Sequence, residues 1–269
     1  MISLKLSKDR SMKRLILLAS LIFAGQTGYT DIIETEVTLP DGLGKGVMYL
    51  NDRQKDPGPG VIVVHEWWGL DDYARNRAHM LAEAGYTAFA VDMYGTGKVA
   101  SHPKDAKSFM ETALSNPETM NARFQAARTL MLKQQQVEPG RLFAIGYCFG
   151  GAVVLEQARR GTDLAGVASF HGSLGTENPA KSGELKARVL VATGQADPMV
   201  PAKQVSGFVS EMTAAGADFQ LLSFPEAKHG FTNPGADAAG ERFEMPLAYS
   251  AHADQVSWEA LIDFLEQPE

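Results

Sequence analysis

The feature that most constrains the fold is an alternation of short apolar runs with longer amphipathic stretches. Val61-Ile62-Val63-Val64, Ala88-Phe89-Ala90-Val91, Leu142-Phe143-Ala144-Ile145, Leu164 to Phe170 and Val189-Leu190-Val191-Ala192 are such runs. They lack the polar alternation of a half-solvated strand and suit strands buried on both faces of a parallel sheet. Helical patterns lie between them. Asp71 or Asp72 can cap a helix that carries Ala74, Ala78 and Leu81 on one face and ends at Gly85. Residues 103–136 read as two helices parted near Asn116-Pro117, and Ala202 to Ala215 as a helix ending at Gly216. Phe219 to Phe224 reads as a final strand, and Trp258 to Leu265 lies in a closing helix. Ahead of the alternation, Glu34 to Leu39 and Lys45 to Leu50 flank Asp41-Gly42 as a hairpin. Residues 52–60, with Pro57, Gly58, Pro59 and Gly60, read as a loop. The expectation is one α/β domain over residues 31–269: a mostly parallel twisted sheet with helices on both faces. Functional groups in such sheets gather at the carboxyl ends of the strands.

A chain of 269 residues, 45 % hydrophobic, can bury a large core without disulfides or metals to staple it. A net charge of −7 argues against a nucleic-acid footprint. The glycines at 42, 44 and 46 sit inside the hairpin and do not open a helix, so no dinucleotide cofactor is expected. At the N-terminus, Lys13 and Arg14 precede an apolar run from Leu15 to Ala24. This is the layout of a secretory signal over residues 1–28, with Met12 as an alternative start. A signal-anchor or a buried helix would read the same way, but the run is too short for a comfortable bilayer crossing. No cysteine follows it, so a lipoprotein is not expected. The sequence thus points to an exported protein, periplasmic or secreted, without stable membrane insertion after processing. Cys148 is the sole cysteine, so no intrachain disulfide can form. A lone thiol in an oxidising compartment is a liability unless it is buried or used.

The neighbours of Cys148 indicate use. Gly146-Tyr147-Cys148-Phe149-Gly150-Gly151 stands between an apolar run and a helical stretch. It is the G-x-S-x-G nucleophile elbow with cysteine in place of serine. The following helix points its N-terminus at the sulfur, which favours thiolate. The Phe149 N–H is then placed to donate to an oxyanion. The other reading is a buried cysteine beside helix-packing glycines. Chain order decides for catalysis, because in elbow enzymes the acid and then the base follow the nucleophile. Asp197 follows the fifth run, in Gly194-Gln195-Ala196-Asp197-Pro198, and His229 follows the last strand. Asp92 also ends a strand but precedes Cys148. Of six histidines only His229 and His252 come after Asp197, and His252 leads into the last helix. A metal site is not expected: His65-Glu66-Trp67-Trp68-Gly69 begins like a zinc helix motif, but Gly69 stands where the second histidine belongs. Glu66, at the rim of the first buried strand, is either a partner of the resting thiol or a solvated loop residue.

The His65-Glu66-Trp67-Trp68-Gly69-Leu70 stretch, Asp92-Met93-Tyr94, the cysteine elbow and the spacing to Asp197 and His229 together resemble the dienelactone hydrolase family of α/β-hydrolases. The likeness runs from about Pro59 to Phe264. It implies a Cys148-His229-Asp197 triad, with Glu66 as the acidic partner of the resting thiol. It also implies an oxyanion hole from the backbone N–H groups of Trp67 and Phe149, and an acyl-enzyme thioester. The family's arginines for a substrate carboxylate are absent, since the corresponding stretches read Gly95-Thr96-Gly97-Lys98 and Phe231-Thr232-Asn233-Pro234. Lysine is a point charge and does not supply the same two-pronged contact. The expected activity is therefore hydrolysis of a small ester, lactone or thioester, with no cofactor. Alternatives are a carboxymethylenebutenolidase that holds its substrate carboxylate through Lys98 or Arg242, and a non-catalytic binding protein on the same fold. Trp68, Tyr94 and Phe231 are expected to line the substrate pocket, while His171, at the fourth strand end, reads as a structural histidine.

Overall fold

The computed structural model describes residues 32–95 and 97–267; the expected signal at residues 1–28 lies outside them. Eight strands form one sheet: β1 (Ile32–Leu39), β2 (Gly44–Asn51), β3 (Gly58–Val64), β4 (Thr87–Val91), β5 (Val137–Tyr147), β6 (Gly166–Phe170), β7 (Arg188–Gly194) and β8 (Phe219–Phe224). Their order across the sheet is β1-β2-β4-β3-β5-β6-β7-β8. The β1–β2 hairpin is antiparallel and joins β4 antiparallel, whereas every later pairing is parallel. Seven helices accompany it: α1 (Asp72–Glu83), α2 (Pro103–Leu114), α3 (Pro117–Met131), α4 (Phe149–Arg159), α5 (Ala202–Ala215), α6 (Ala236–Phe243) and α7 (Ala251–Glu266).

The apolar runs are continuous because both faces of the sheet are covered. Along β3, Ile62 and Val64 point into a core with Phe124 of α3, Val154 of α4 and Phe208 of α5. Val61 and Val63 point the other way, against Ala78 and Leu81 of α1 and Leu261 and Phe264 of α7. All four strand side chains are fully buried. Truncating one of them to alanine costs about 2–5 kcal/mol for an isoleucine in such a site.

The helix boundaries follow local chemistry. Asp71 caps α1 by accepting from the N–H of Ala74 at 3.2 Å, and Ser250 caps α7 through the N–H of Ala253. Gly216 closes α5 in the left-handed region at φ 69°. Two elements depart from expectation. The strand β3 starts at Gly58 inside the expected loop, because the Gly58 N–H donates to the Gln136 carbonyl beside the start of β5. The helix α6 was not expected: it is only eight residues long, and its stripe of Ala236, Ala239, Gly240 and Phe243 consists mostly of small side chains.

Candidate active site

Cys148 sits between β5 and α4 with φ 53° and ψ −112°, a region that a residue with a side chain occupies at a cost of about 1–3 kcal/mol. The surroundings hold it there. Its N–H donates to the Phe170 carbonyl at 3.0 Å, and the Gly150 N–H donates to the His65 carbonyl at 3.1 Å. A Cβ on Gly146 would run into the Gly150 carbonyl, and one on Gly150 into the Val64 carbonyl, so the turn admits no side chain at either position. The half-buried thiol thus stands at the N-terminal end of α4.

The loops after β7 and β8 bring Asp197 and His229 together. His229 Nδ1 lies 2.8 Å from Asp197 Oδ2, and both side chains are buried. The other Asp197 oxygen accepts from the Met199 N–H at 2.7 Å, which fixes the carboxylate plane. The Ala248 N–H donates to the His229 carbonyl and the Ser250 N–H to the Phe231 carbonyl, so the segment before α7 clamps the histidine loop. The opposite ring nitrogen, Nε2, is buried and unpartnered among the described residues, and His229 and Cys148 line the same cavity. Burial opposes a charge on His229, but the neighbouring Cys148 sulfur and Asp197 outweigh it and hold its pKa well above the ordinary value. Asp92 stays apart: its two oxygens accept from the N–H groups of Tyr94 and Gly97 and shape the loop after β4.

Glu66 is not a solvated loop residue; it is 4 % exposed and lines the cavity with Cys148. Burial, with the nearby Asp71 carboxylate adding to it, pushes its pKa up to about 7. Asn233 Nδ2 donates to its Oε2 at 2.7 Å and favours the charged form. Behind it lies a buried polar chain. His171 Nε2 is 2.8 Å from Thr232 Oγ1, which is 2.6 Å from the Tyr73 hydroxyl. Arg77 donates to the Thr232 carbonyl and to Asp254 at 2.5 Å. His171 sits edge-on to His229, with ring centroids 5.2 Å apart. Burial, His229 and Arg77 all hold its pKa well below the ordinary value, so it is neutral. His65 has both ring nitrogens engaged: Nδ1 on the Glu66 carbonyl and Nε2 accepting from the Met93 N–H.

The N–H groups of Trp67 and Phe149 make no backbone hydrogen bond among the described residues. Trp67 lines two compartments that meet at Cys148 and His229. One, of about 290 Å³, includes Glu66, Trp68, Asp71, Asn233 and Phe243; the other, of about 330 Å³, is apolar. Two expected lining residues stand elsewhere. Phe231 is fully buried, packed edge-on against His171 and tilted on Phe224. Tyr94 donates its hydroxyl to the Trp67 carbonyl at 2.8 Å and faces a separate cavity shared with Lys98 and Arg123. Neither Lys98 nor Arg242 lines either compartment at Cys148. Asn233 and Thr232 were not singled out from the sequence; as uncharged polar residues in a loop they carry no signal of their own.

Comparison with known proteins places these features. The model of the dienelactone hydrolase family matches residues 45–268. The protein m3DLH shares 34 % identity, with a TM-score of 0.81, over 87 % of this chain and 98 % of its own. A dienelactone hydrolase-like promiscuous phosphotriesterase from metagenomic libraries shares 32 %, with a TM-score of 0.80, over 87 % of this chain and 97 % of its own. A protein from Methylorubrum extorquens, provisionally named a carboxymethylenebutenolidase, is 26 % identical over 87 % of this chain and 80 % of its own. With that family match over most of its length and an eight-stranded, mostly parallel sheet, the chain belongs to the dienelactone hydrolase family of α/β-hydrolases.

Proposed function

We propose that the protein hydrolyses small uncharged esters, lactones or thioesters through an acyl-enzyme on Cys148. The observation that carries this reading is the 2.8 Å contact from Asp197 to His229 Nδ1, which leaves Nε2 unpartnered at the cavity Cys148 lines. In the reaction His229 takes the thiol proton, and the sulfur attacks the carbonyl carbon of the substrate. The carbonyl electron pair moves to oxygen, where the N–H groups of Trp67 and Phe149 would receive it. Collapse breaks the bond to the leaving oxygen or sulfur, which takes the proton from His229. Water then loses a proton to His229 and attacks the thioester, the carbon–sulfur bond breaks, and the acid product leaves. Asp197 holds the imidazole tautomer and stabilises its charged form throughout.

Glu66 is the proposed acidic partner of the resting thiol. Its pKa near 7 keeps a carboxyl available as donor and a carboxylate available as acceptor at neutral pH. The preference for uncharged substrates rests on the lining: neither compartment at Cys148 includes a lysine or arginine. That disfavours a carboxymethylenebutenolidase reading through Lys98 or Arg242. The test is turnover of p-nitrophenyl acetate and of a dienelactone by the wild type beside Cys148→Ala. Cys148-dependent turnover with acetate preferred supports the reading. Undiminished activity in Cys148→Ala removes the proposed nucleophile, and a preference for the dienelactone restores a carboxylate contact. Equal inertness of both proteins favours the binding-protein alternative.

We also propose export, from the basic and apolar sequence at Lys13 to Ala24. Among the described residues no helix is long and apolar enough to cross a membrane. N-terminal sequencing of the protein recovered from the periplasm or medium tests this. A chain starting beyond the apolar run is expected; an uncut chain in the cytoplasm would contradict it.

A further inference from the structure

The two compartments at Cys148 differ in chemistry. The first is lined by the polar residues Glu66, Asp71, Ser101 and Asn233 together with Trp68 and Phe243. The second is lined chiefly by Met110, Leu114, Ala152, Met199, Met245 and Leu247, drawn from α2, α4 and the loops after β7 and α6, with Ser173 as a polar side chain besides Cys148 and His229. Its rim is apolar as well. Five large apolar side chains are exposed among the described residues, and two of them, Leu114 at 50 % and Met199 at 40 %, border this cleft. Exposed apolar side chains that converge on a concavity mark a binding site more often than scattered ones do. Three methionines give its wall a shape that adapts to flexible apolar ligands.

We propose that this cleft is the acyl subsite and takes an extended, uncharged acyl chain, while the acid-bearing compartment takes the leaving group. The inference rests on the hydrolase reading above and adds the substrate class. The assignment of sides follows from the second half of the reaction. After the leaving group departs, water must reach the thioester while the acyl chain is still attached to Cys148. A compartment carrying Glu66, Asp71, Ser101 and Asn233 holds water well; one lined by methionine and leucine does not. The acyl chain therefore occupies the dry side for the lifetime of the intermediate, and water enters through the polar side vacated by the leaving group. An acyl chain ending in a carboxylate is disfavoured, because among the described residues no lysine or arginine lines the cleft to pair with a desolvated charge.

The experiment is kcat/KM for p-nitrophenyl acetate, butyrate, hexanoate and octanoate, and for the mono-p-nitrophenyl ester of adipic acid. These are measured on the wild type, Met199→Glu, Leu132→Ser and Cys148→Ala. Burial of each added methylene is worth about fourfold in kcat/KM, so hexanoate is expected to exceed acetate by at least tenfold. The adipate ester, of the same length but charged at its end, is expected to fall at least tenfold below hexanoate. Met199→Glu places a charge at the cleft rim, so the hexanoate-to-acetate ratio is expected to collapse toward one. Leu132→Ser removes an exposed apolar side chain outside the cleft and keeps the wild-type ratio. A flat or falling chain-length profile with Cys148-dependent acetate turnover overturns the subsite and leaves the hydrolase reading intact. An unchanged ratio in Met199→Glu overturns it too. Acetate turnover that survives in Cys148→Ala overturns the Cys148 acyl-enzyme, and with it the subsite that rests on it.

Discussion

The carboxamide of Asn233 donates to Oε2 of Glu66 across 2.7 Å, tying the loop after His229 to the end of β3 beside Cys148. This bond favours the carboxylate, yet burial and Asp71 outweigh it and raise the Glu66 pKa to about 7. A raised carboxyl pKa means that the folded state binds the proton more tightly than the unfolded chain does. Stability from Glu66 is therefore present below its ordinary value of about 4.5 and is lost as pH rises to about 7. Glu66→Gln keeps an acceptor for Asn233 and removes the titration. Between pH 5 and pH 8 the variant should gain stability relative to wild type by up to roughly 3 kcal/mol, at 1.36 kcal/mol per pKa unit. Urea unfolding at several pH values measures it, and parallel pH profiles would contradict the assignment.

The Asp197–His229 contact leads to a kinetic expectation. Asp197→Asn keeps the shape of the side chain but lets the wrong imidazole tautomer form and no longer stabilises the charged ring. Turnover should fall by about 10²–10⁴-fold in kcat with the fold intact. Steady-state kinetics with circular dichroism on the same samples separates this outcome from simple unfolding. A loss under tenfold would show that Asp197 does not orient the base.

Cys148 stores backbone strain at φ 53°. Cys148→Gly should abolish esterase activity and raise unfolding stability by about 1 kcal/mol, up to about 3, because glycine occupies that conformation without penalty. Thermal unfolding of both proteins checks it. Destabilisation by the glycine would mean that thiol packing outweighs the strain.

Phe231 belongs to the core and not to the pocket. Phe231→Ala should therefore cost about 3–5 kcal/mol of stability while KM for small esters stays within about twofold at a temperature where the variant is folded. A large KM change with little destabilisation would return Phe231 to the substrate site.

These residues show where the sequence is legible and where it is not. The strands β4 to β7 were readable because a sheet covered on both faces leaves continuous apolar runs, and the helices α1 to α5 because a covered face leaves a helical period. Cys148, Asp197 and His229 were readable because an elbow needs glycines and because the three follow one another at strand ends. The wall formed by α6 was not readable: Ala239 and Phe243 line the cavity, but the helix has only eight residues and its stripe is mostly alanine and glycine. Phe231 was misplaced because an aromatic two residues after a candidate base such as His229 looks the same in sequence whether its ring turns in or out. Its ring contacts with His171 and Phe224, residues from distant segments, show the direction. The apolar cleft was invisible because Met110, Met199 and Met245 come from three distant segments.

The measurement that bears most directly on the chemistry is mass spectrometry of the protein quenched during turnover of p-nitrophenyl acetate, with peptide mapping. The expected result is a single acetyl group on the peptide that contains Cys148, formed within the first turnover, lost on further incubation and absent from Cys148→Ala. No adduct at any time, together with full turnover by Cys148→Ala, would contradict an acyl-enzyme on this thiol.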